Sequence, residues 1–176
     1  MQKELKAKYD KLLNIKEILN NTINSNKLKV TLKWSRDKGI GLFATKNIKQ
    51  GELISYYKIS VFNYKKYNSP TNNIYAFDVY NKKEKPLKSM IGDIDLNSLP
   101  APFNNIPFWA PFANEASEEN SNAEMDIDTN FNYRNKNKIN VGDNIIYKLI
   151  AKNNIKKGEE INWYYGPDYF RNYVLD

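Results

Sequence analysis

Three short segments of the sequence carry residue types whose spacing could support binding or catalysis. In Gly39–Ala44, two glycines let the backbone come close to a ligand, so that its N–H and C=O groups can bind a zwitterion. In residues 109–116, Asn114 follows an apolar run and offers a carboxamide with both a donor and an acceptor. In residues 158–166, several aromatic residues precede a glycine. Such aromatics either form plain core or line a narrow channel for an alkyl-ammonium group.

The composition removes several kinds of catalysis. The 176 residues include no cysteine and no histidine. The sequence therefore excludes a disulfide, a thiolate nucleophile, a Ser-His-Asp triad and metal sites with cysteine or histidine ligands. Carboxylates, tyrosines, lysines and backbone groups remain as the groups that can carry chemistry.

Short β-strands are predicted to position these segments. Apolar residues alternate with polar ones at Leu28, Val30, Leu32 and Trp34, which predicts a half-buried first strand. Further strands are predicted at residues 40–45, 52–59, 74–80, 144–151 and 160–164. The stretch from 82 to 111 is rich in Pro, Asn and Lys and is predicted to form loops and short turns.

Two further segments flank this β region. Residues 1–26 are predicted to form an N-terminal amphipathic helix, because their apolar residues recur at spacings of three or four. The apolar stripe of this helix is expected to be buried in the domain or in a homodimer. Residues 167–176 begin with proline and carry aromatic residues, which favours a short terminal helix. The sequence thus predicts a mostly β domain over residues 27–166 with peripheral helix.

One internal repeat relates the two ends of the predicted domain. Residues 44–52 and 151–159 share six of nine positions, including a glycine at the same offset. Glycine recurs in this way where a turn requires a positive φ. The repeat predicts a pseudo-symmetric β architecture in which each half contributes a strand, a turn and a second strand.

The chain is positively charged overall but negative in one stretch. With 27 basic and 20 acidic residues the net charge is +7, which suggests a polyanionic partner. Only three of the basic residues are arginines, the type preferred for recognising phosphates and bases, so specific nucleic-acid binding is not expected. Between Asn114 and Asp128, six acidic residues occur without any lysine or arginine. This acidic stretch is either a solvated loop or a face that attracts a cationic ligand.

Together and in this order, the three segments resemble the SET-domain protein lysine methyltransferases, in a compact form without zinc modules. Gly39–Ala44 resembles the family's Gly-x-Gly-hydrophobic-Phe-Ala strand, and residues 151–166 resemble its ending through Gly-Glu-Glu to Tyr-Gly. Residues 112–114 fit the start of the family's Phe-x-Asn-His-Ser-Cys motif, with Glu115 at the histidine position. In the family that histidine contributes largely through its backbone. The resemblance implies a β-clip fold with two related halves.

The resemblance also implies a cofactor, a substrate and the residues that bind them. The cofactor is S-adenosylmethionine, and the methyl acceptor is a lysine amine of a histone tail or of another protein. Tyr165 corresponds to the catalytic tyrosine, and Tyr57 and Trp163 to walls of the lysine channel. No metal is implied. The residues expected to contact the cofactor are Gly39, Ile40, Gly41, Asn114, Glu115, Tyr165, Tyr169 and Phe170.

Two alternative functions explain parts of the sequence. A catalytically weak SET-like binding module would explain the altered motif at Asn114. A basic nucleic-acid-binding β protein would explain the charge but not the order of the motifs. Under the methyltransferase interpretation we expect a protein or peptide substrate, a possible second copy of the chain and no membrane partner. The expected location is intracellular, in the cytoplasm or nucleus, and in the host nucleus for a viral protein.

Overall fold

The computed structural model describes residues 27–35, 38–69, 75–80, 85–94, 102–128, 139–169, 171 and 173–175. The N-terminal helix predicted at residues 1–26 lies outside these residues, as does Phe170. The mostly β fold class is confirmed, because nearly all regular structure in the described residues is strand. None of the helical structure in these residues is both long and apolar enough to span a membrane.

The strands are numbered in chain order. They are β1 (Val30–Ser35), β2 (Gly39–Ala44), β3 (Leu53–Asn63), β4 (Phe77–Tyr80), β5 (Pro86–Asp93), β6 (Asn114–Glu115), β7 (Ala123–Ile127), β8 (Asn144–Ala151) and β9 (Glu160–Trp163). A 3₁₀ turn, Ala110–Phe112, precedes β6. The six strands predicted from the sequence correspond to β1, β2, β3, β4, β8 and β9, with ends that differ by a few residues.

The chain divides into two compact units. The first comprises Met1–Tyr56, Pro100–Asp126 and Lys148–Asp176, and the second comprises Tyr57–Leu99 and Ile127–Tyr147. The boundaries fall within β3, β7 and β8, so each of these strands contributes residues to both units.

The first unit contains the sheet that brings the three predicted segments together. β1 and β2 are antiparallel, from the pair Val30 and Ala44 to the pair Ser35 and Gly39. β9 lies antiparallel to β2 on its other side, and both β6 and β7 lie parallel to β9. The glycine-rich strand, Asn114 and the Gly158–Gly166 ending therefore share one sheet.

The predicted buried face of the first strand is confirmed except at its end. Leu28, Val30 and Leu32 are buried, but Trp34 is 52% exposed and Ser35 is buried instead. The alternation breaks because the Ser35 hydroxyl points inward and donates a hydrogen bond to the Glu160 carboxylate.

The two similar nine-residue segments form paired turns with matching hydrogen bonds. Ile48 and Ile155 each donate a backbone N–H to the other's carbonyl oxygen, at 2.8 and 2.9 Å. Gly51 and Gly158, at the same offset in the two segments, have φ values of 80° and 92°. Because side chains disfavour this left-handed conformation, the predicted reason for the repeated glycine is confirmed.

The asparagines of the two turns reinforce the pairing. The side-chain oxygen of Asn154 accepts the Gln50 N–H, and that of Asn47 accepts the Lys157 N–H, both at 2.9 Å. Each turn thus supplies the other with the same side-chain acceptor, and the internal repeat of the sequence is a structural pair.

The second unit is a smaller antiparallel sheet in which β5 lies between β3 and β4. Ser60 of β3 stands opposite Asp93 of β5. The fully buried Asp93 carboxylate accepts hydrogen bonds from the Tyr67 hydroxyl at 3.0 Å and the Ser69 hydroxyl at 2.7 Å. These bonds fix the segment that follows β3.

The prediction of loops and short turns over residues 82–111 is wrong for β5. Only the last three residues of this strand are buried, and its other side chains are exposed or half-buried. With no apolar alternation to reveal it, the strand is held by backbone pairing with β3 and β4, which side-chain periodicity does not report.

The short helix predicted in residues 167–176 is not found in the described part of that segment, which forms turns, bends and irregular structure. The Arg171 side chain donates to the carbonyl oxygens of Gly166 and Tyr169. A guanidinium therefore satisfies acceptors that the backbone N–H groups of a helix would otherwise use.

Candidate active site

A carboxylate, Glu160, joins three strands of the first unit. Its Oε1 accepts a hydrogen bond from Asn114 Nδ2 at 2.7 Å, and its Oε2 accepts one from Ser35 Oγ at 2.8 Å. Glu160 lies on β9, Asn114 on β6 and Ser35 on β1. Because the Asn114 amide nitrogen donates to Glu160, the amide is oriented with its Oδ1 left as an acceptor.

Asn122 holds β9 from the other direction. Its Nδ2 donates to the backbone oxygen of Glu160 at 2.8 Å, and its Oδ1 accepts the Asn162 N–H at 2.9 Å. The Asn122 side chain thus makes the two hydrogen bonds to β9 that the backbone of a neighbouring strand would otherwise make. These bonds fix the backbone of Glu160 and so help to position its carboxylate.

The two glycines of the glycine-rich strand serve different purposes. A Cβ atom on Gly41 would overlap Glu160 Oε1 and would lie 3.0 Å from Asn114 Nδ2. Gly39 has a φ of 80°, and a Cβ atom there would meet nothing within 4 Å. Gly41 therefore gives Asn114 and Glu160 room to meet, whereas Gly39 bends the chain and leaves open space beside the backbone.

Gly41→Ala is expected to lower the free energy of unfolding by about 1–3 kcal/mol, because the added methyl must push the Glu160 or Asn114 side chain aside. Urea denaturation measures this loss. Gly39→Ala is the comparison, since its cost of about 1–2 kcal/mol comes from the positive φ alone. A Gly41→Ala chain as stable as the parent would show that the sheet accommodates the methyl group.

Tyr165 is fixed at both its backbone and its hydroxyl. The hydroxyl donates to the Ala113 carbonyl oxygen at 2.8 Å, and the backbone N–H donates to Glu115 Oε1 at 3.2 Å. The ring centroid lies 4.7 Å from that of Trp163 and 4.9 Å from that of Tyr169. The structure therefore brings together three of the aromatic residues predicted for the site. Because its proton is directed to Ala113, the phenol oxygen retains lone pairs that can accept a hydrogen bond.

Glu115, at the motif's histidine position, is buried and paired with Arg171. Its Oε1 lies 2.5 Å from Arg171 Nη2, and its Oε2 accepts the Tyr173 hydroxyl at 2.7 Å. Hydrogen bonding to this carboxylate raises the pKa of Arg171. The predicted contact of Glu115 with a cofactor stays a prediction, and its carboxylate oxygens are used by groups of the protein.

The solvated-loop interpretation of the acidic stretch holds for only part of it. Glu115 and Asp128 are buried, so they do not belong to a solvated surface. Glu118, Glu119, Glu124 and Asp126 are exposed, and they form the solvent-facing acidic residues of the stretch. The first two lie in the turn before β7, and the other two lie on β7 itself.

The C-terminal tyrosines should make stability depend on alkaline pH. Partial burial and the hydrogen bond to Glu115 raise the pKa of Tyr173, and burial with the nearby Glu115 charge raises the pKa of Tyr169. Above a pH of about 10, tyrosines of the unfolded chain ionise, whereas these two keep their protons to higher pH when the chain is folded. The unfolded state then binds fewer protons, so stability that is fully present below about pH 10 is lost as the pH rises.

Tyr173→Phe should accordingly make the free energy of unfolding fall less steeply between about pH 9 and 11. Denaturant titrations at a series of pH values measure the slope. Tyr80→Phe, which removes a hydroxyl from an exposed ring of β4, is the matched control. An unchanged slope in Tyr173→Phe would show that this hydroxyl titrates alike in the folded and unfolded chains.

Tyr57 belongs to the second unit. It is buried, its hydroxyl donates to the Tyr75 carbonyl oxygen at 3.0 Å, and its ring meets that of Phe77 edge-on at 4.9 Å. Its predicted role as a wall of a lysine channel stays a prediction.

Sequence reasoning did not single out Glu160, Arg171 or Tyr173. Glu160 lies within the third segment, but the sequence offers no reason to distinguish it from the adjacent Glu159. Arg171 carried one usable signal, because it is one of only three arginines and follows the Tyr-Gly ending by a few residues. Its partner, however, is 56 positions away, and no local pattern connects the two.

The residues of the first unit fit the amino-acid end of S-adenosylmethionine. Gly39 leaves open space where a side chain would stand. Asn114 presents Oδ1 as an acceptor for an ammonium group, with the negative Glu160 carboxylate 2.7 Å from its Nδ2. An acceptor next to a carboxylate favours a bound cation.

Comparisons with known proteins give the family and the fold of the chain. The SET domain, as a family model, matches residues 39–166. A search among curated proteins returned no match. Among solved structures, that of a proposed histone methyltransferase from Plasmodium falciparum is similar, with a TM-score of 0.53 and 20% identity over 82% of this chain and 98% of that chain. At this identity the likeness concerns the fold, while the family match spans most of the sequence. The chain belongs to the SET-domain family.

Proposed function

We propose that the chain is an S-adenosylmethionine-dependent protein-lysine N-methyltransferase that acts on a lysine amine of a histone or another protein. The observation that carries this proposal is the role of three consecutive residues. Ala113 accepts the Tyr165 hydroxyl, Asn114 donates to Glu160 beside the glycine-rich strand, and Glu115 accepts the Tyr165 N–H. These residues link the proposed cofactor site to the proposed catalytic tyrosine.

The cofactor would be held mainly by backbone and amide groups. The backbone of residues 39–41 and Asn114 Oδ1 would hold its methionine end, and Tyr169 would cover its adenine. When bound, S-adenosylmethionine supplies an electrophilic methyl group on a positively charged sulfur, and the amine lone pair forms the new C–N bond as the C–S bond breaks. Orienting both reactants supplies much of the acceleration expected in such a site.

Tyr165 would orient the attacking amine. Its hydroxyl proton is directed to Ala113, so the oxygen can accept an N–H of a neutral lysine amine. The adjacent ring of Trp163 would exclude water from the amine, and desolvation favours its neutral form over the ammonium ion. A neutral amine retains the lone pair that the reaction needs.

Calorimetry with S-adenosylmethionine, followed by mass spectrometry of a lysine-containing peptide, tests the proposal. Binding together with a mass increase of one or more methyl groups is the expected result. Binding without transfer would instead favour the SET-like binding module. A chain that binds no cofactor but binds nucleic acid with a strong salt dependence would overturn the proposal in favour of the nucleic-acid alternative.

The exposed acidic residues should favour a basic substrate. A chain of net charge +7 repels a lysine-rich peptide at long range, and Glu118, Glu119 and Glu124 reverse the charge locally. Replacing all three by glutamine is expected to raise the KM for a lysine-rich peptide severalfold, to leave kcat unchanged and to flatten the salt dependence. Steady-state kinetics at several salt concentrations measure this. If KM and its salt dependence stay the same, the residues only solvate the surface.

A further inference from the structure

We propose that the Glu115–Arg171 ion pair is a positioning device for Tyr165 and Tyr169, so that Glu115 acts on catalysis through the protein rather than through the cofactor. This inference rests on the proposed function. Its structural basis is a cluster of charged and aromatic groups that follows the Tyr-Gly ending of the chain.

The Glu115 carboxylate is buried and is the shared acceptor of several hydrogen bonds. It is 5% exposed, and it accepts hydrogen bonds from three different residues. Arg171 donates from Nε at 3.1 Å and from Nη2 at 2.5 Å, Tyr173 donates its hydroxyl at 2.7 Å, and Tyr165 donates its backbone N–H at 3.2 Å. A buried carboxylate needs such donors, since it pays a large desolvation cost without them.

The Arg171 guanidinium, which is held by Glu115, also binds backbone carbonyl groups on either side of Asp168. Its Nη2 donates to the Gly166 oxygen at 2.5 Å, and its Nη1 donates to the Tyr169 oxygen at 2.8 Å. It also stands over the rings of Tyr164 and Tyr169, 5.3 and 5.4 Å from their centroids. The planar guanidinium, which presents several donors in a fixed geometry, can restrain all these groups at once.

Tyr165 lies between the restrained groups. Its N–H is bound by Glu115, and the carbonyl of the next residue, Gly166, is bound by Arg171. Its ring packs edge-on against Tyr169, whose carbonyl Arg171 also binds. Loss of the pair would release the backbone on both sides of the Tyr165 ring, while the bond from its hydroxyl to Ala113 would remain.

The pair also connects the family domain to residues beyond it. The family match ends at residue 166, and both Arg171 and Tyr173 follow it. Glu115 stands at the histidine position of the Phe-x-Asn-His-Ser-Cys motif. An acidic residue at that position can bind an arginine of the C-terminal segment in a way that a neutral imidazole cannot, which gives the departure from the motif a physical purpose.

The test compares Glu115→Gln, Arg171→Gln and the double variant at a temperature well below their unfolding transitions. Each single variant is expected to lower kcat roughly 10–100-fold, because small displacements of a catalytic group are costly. The double variant should be no slower than the slower single variant, since both changes remove the same interaction. Arg171→Lys keeps the positive charge but lacks the planar set of N–H donors of the guanidinium. It should therefore recover only part of the activity that Arg171→Gln loses. Asp168→Asn, an exposed acid of the same segment, is the matched control.

Hydrogen exchange provides a readout that does not depend on activity. The amide of Tyr165 is expected to exchange roughly tenfold faster in Glu115→Gln than in the parent chain. Unchanged exchange at Tyr165 would overturn the positioning role, whether or not the parent transfers methyl groups. Faster exchange with full kcat in folded variants would overturn the link to catalysis. A parent chain that neither binds S-adenosylmethionine nor transfers methyl groups would contradict the proposed function, and the exchange result would still decide whether the pair positions Tyr165.

Discussion

Tyr165→Phe should lower the turnover of methyl transfer by roughly ten- to a thousandfold, while cofactor affinity changes little. The substitution removes the oxygen that would orient the amine but keeps the ring that packs against Trp163 and Tyr169. Loss of the hydrogen bond to Ala113 costs about 1 kcal/mol of stability, which leaves the chain folded at ordinary assay temperatures. Single-turnover kinetics, calorimetry and thermal denaturation separate these three quantities.

The matched control for this experiment is Tyr64→Phe, which removes a phenol oxygen from an exposed ring after β3. It should leave turnover unchanged. If Tyr165→Phe retains full turnover, or loses it only in proportion to a loss of folded protein, Tyr165 is a packing residue at the end of a strand. Such a result would show that methyl transfer does not depend on the Tyr165 hydroxyl.

Features that depend on local backbone geometry could be predicted from the sequence. The repeated glycine at positions 51 and 158 was explained by a turn that needs a positive φ, and both residues have one. The glycines of the glycine-rich strand were expected to permit a close approach. At Gly41 the group that approaches is the Glu160 carboxylate of the protein itself.

Features that depend on distant side chains could not be predicted. Glu115 and Arg171 meet across 56 positions, and neither residue has a local pattern that indicates the other. The same reason applies to β5, which is held by backbone pairing on both sides while most of its side chains face solvent. The periodicity of apolar residues shows which face of an element is buried. It gives no signal for a strand that is held by backbone hydrogen bonds while most of its side chains are exposed or half-buried.

Ile48→Ala and Ile155→Ala should each lower the free energy of unfolding by about 2–5 kcal/mol. Both isoleucines are 1% exposed, and their backbones exchange two hydrogen bonds where the paired turns meet. Each substitution would leave a cavity in the first unit. Because a single domain is stabilised by only about 5–15 kcal/mol in total, either loss would be a large part of its stability.

The repeat makes this prediction stricter than a prediction for two unrelated core residues. The two turns use equivalent backbone bonds, equivalent asparagine acceptors and equivalent glycines, so the two substitutions should have similar effects. Urea denaturation of both alanine variants measures this, with Ile48→Val and Ile155→Val as controls that should cost only about 0.5–1.5 kcal/mol each. A large loss at one position and almost none at the other would contradict the equivalence. It would show that one turn holds the sheet and that the other resembles it only in sequence and hydrogen bonding.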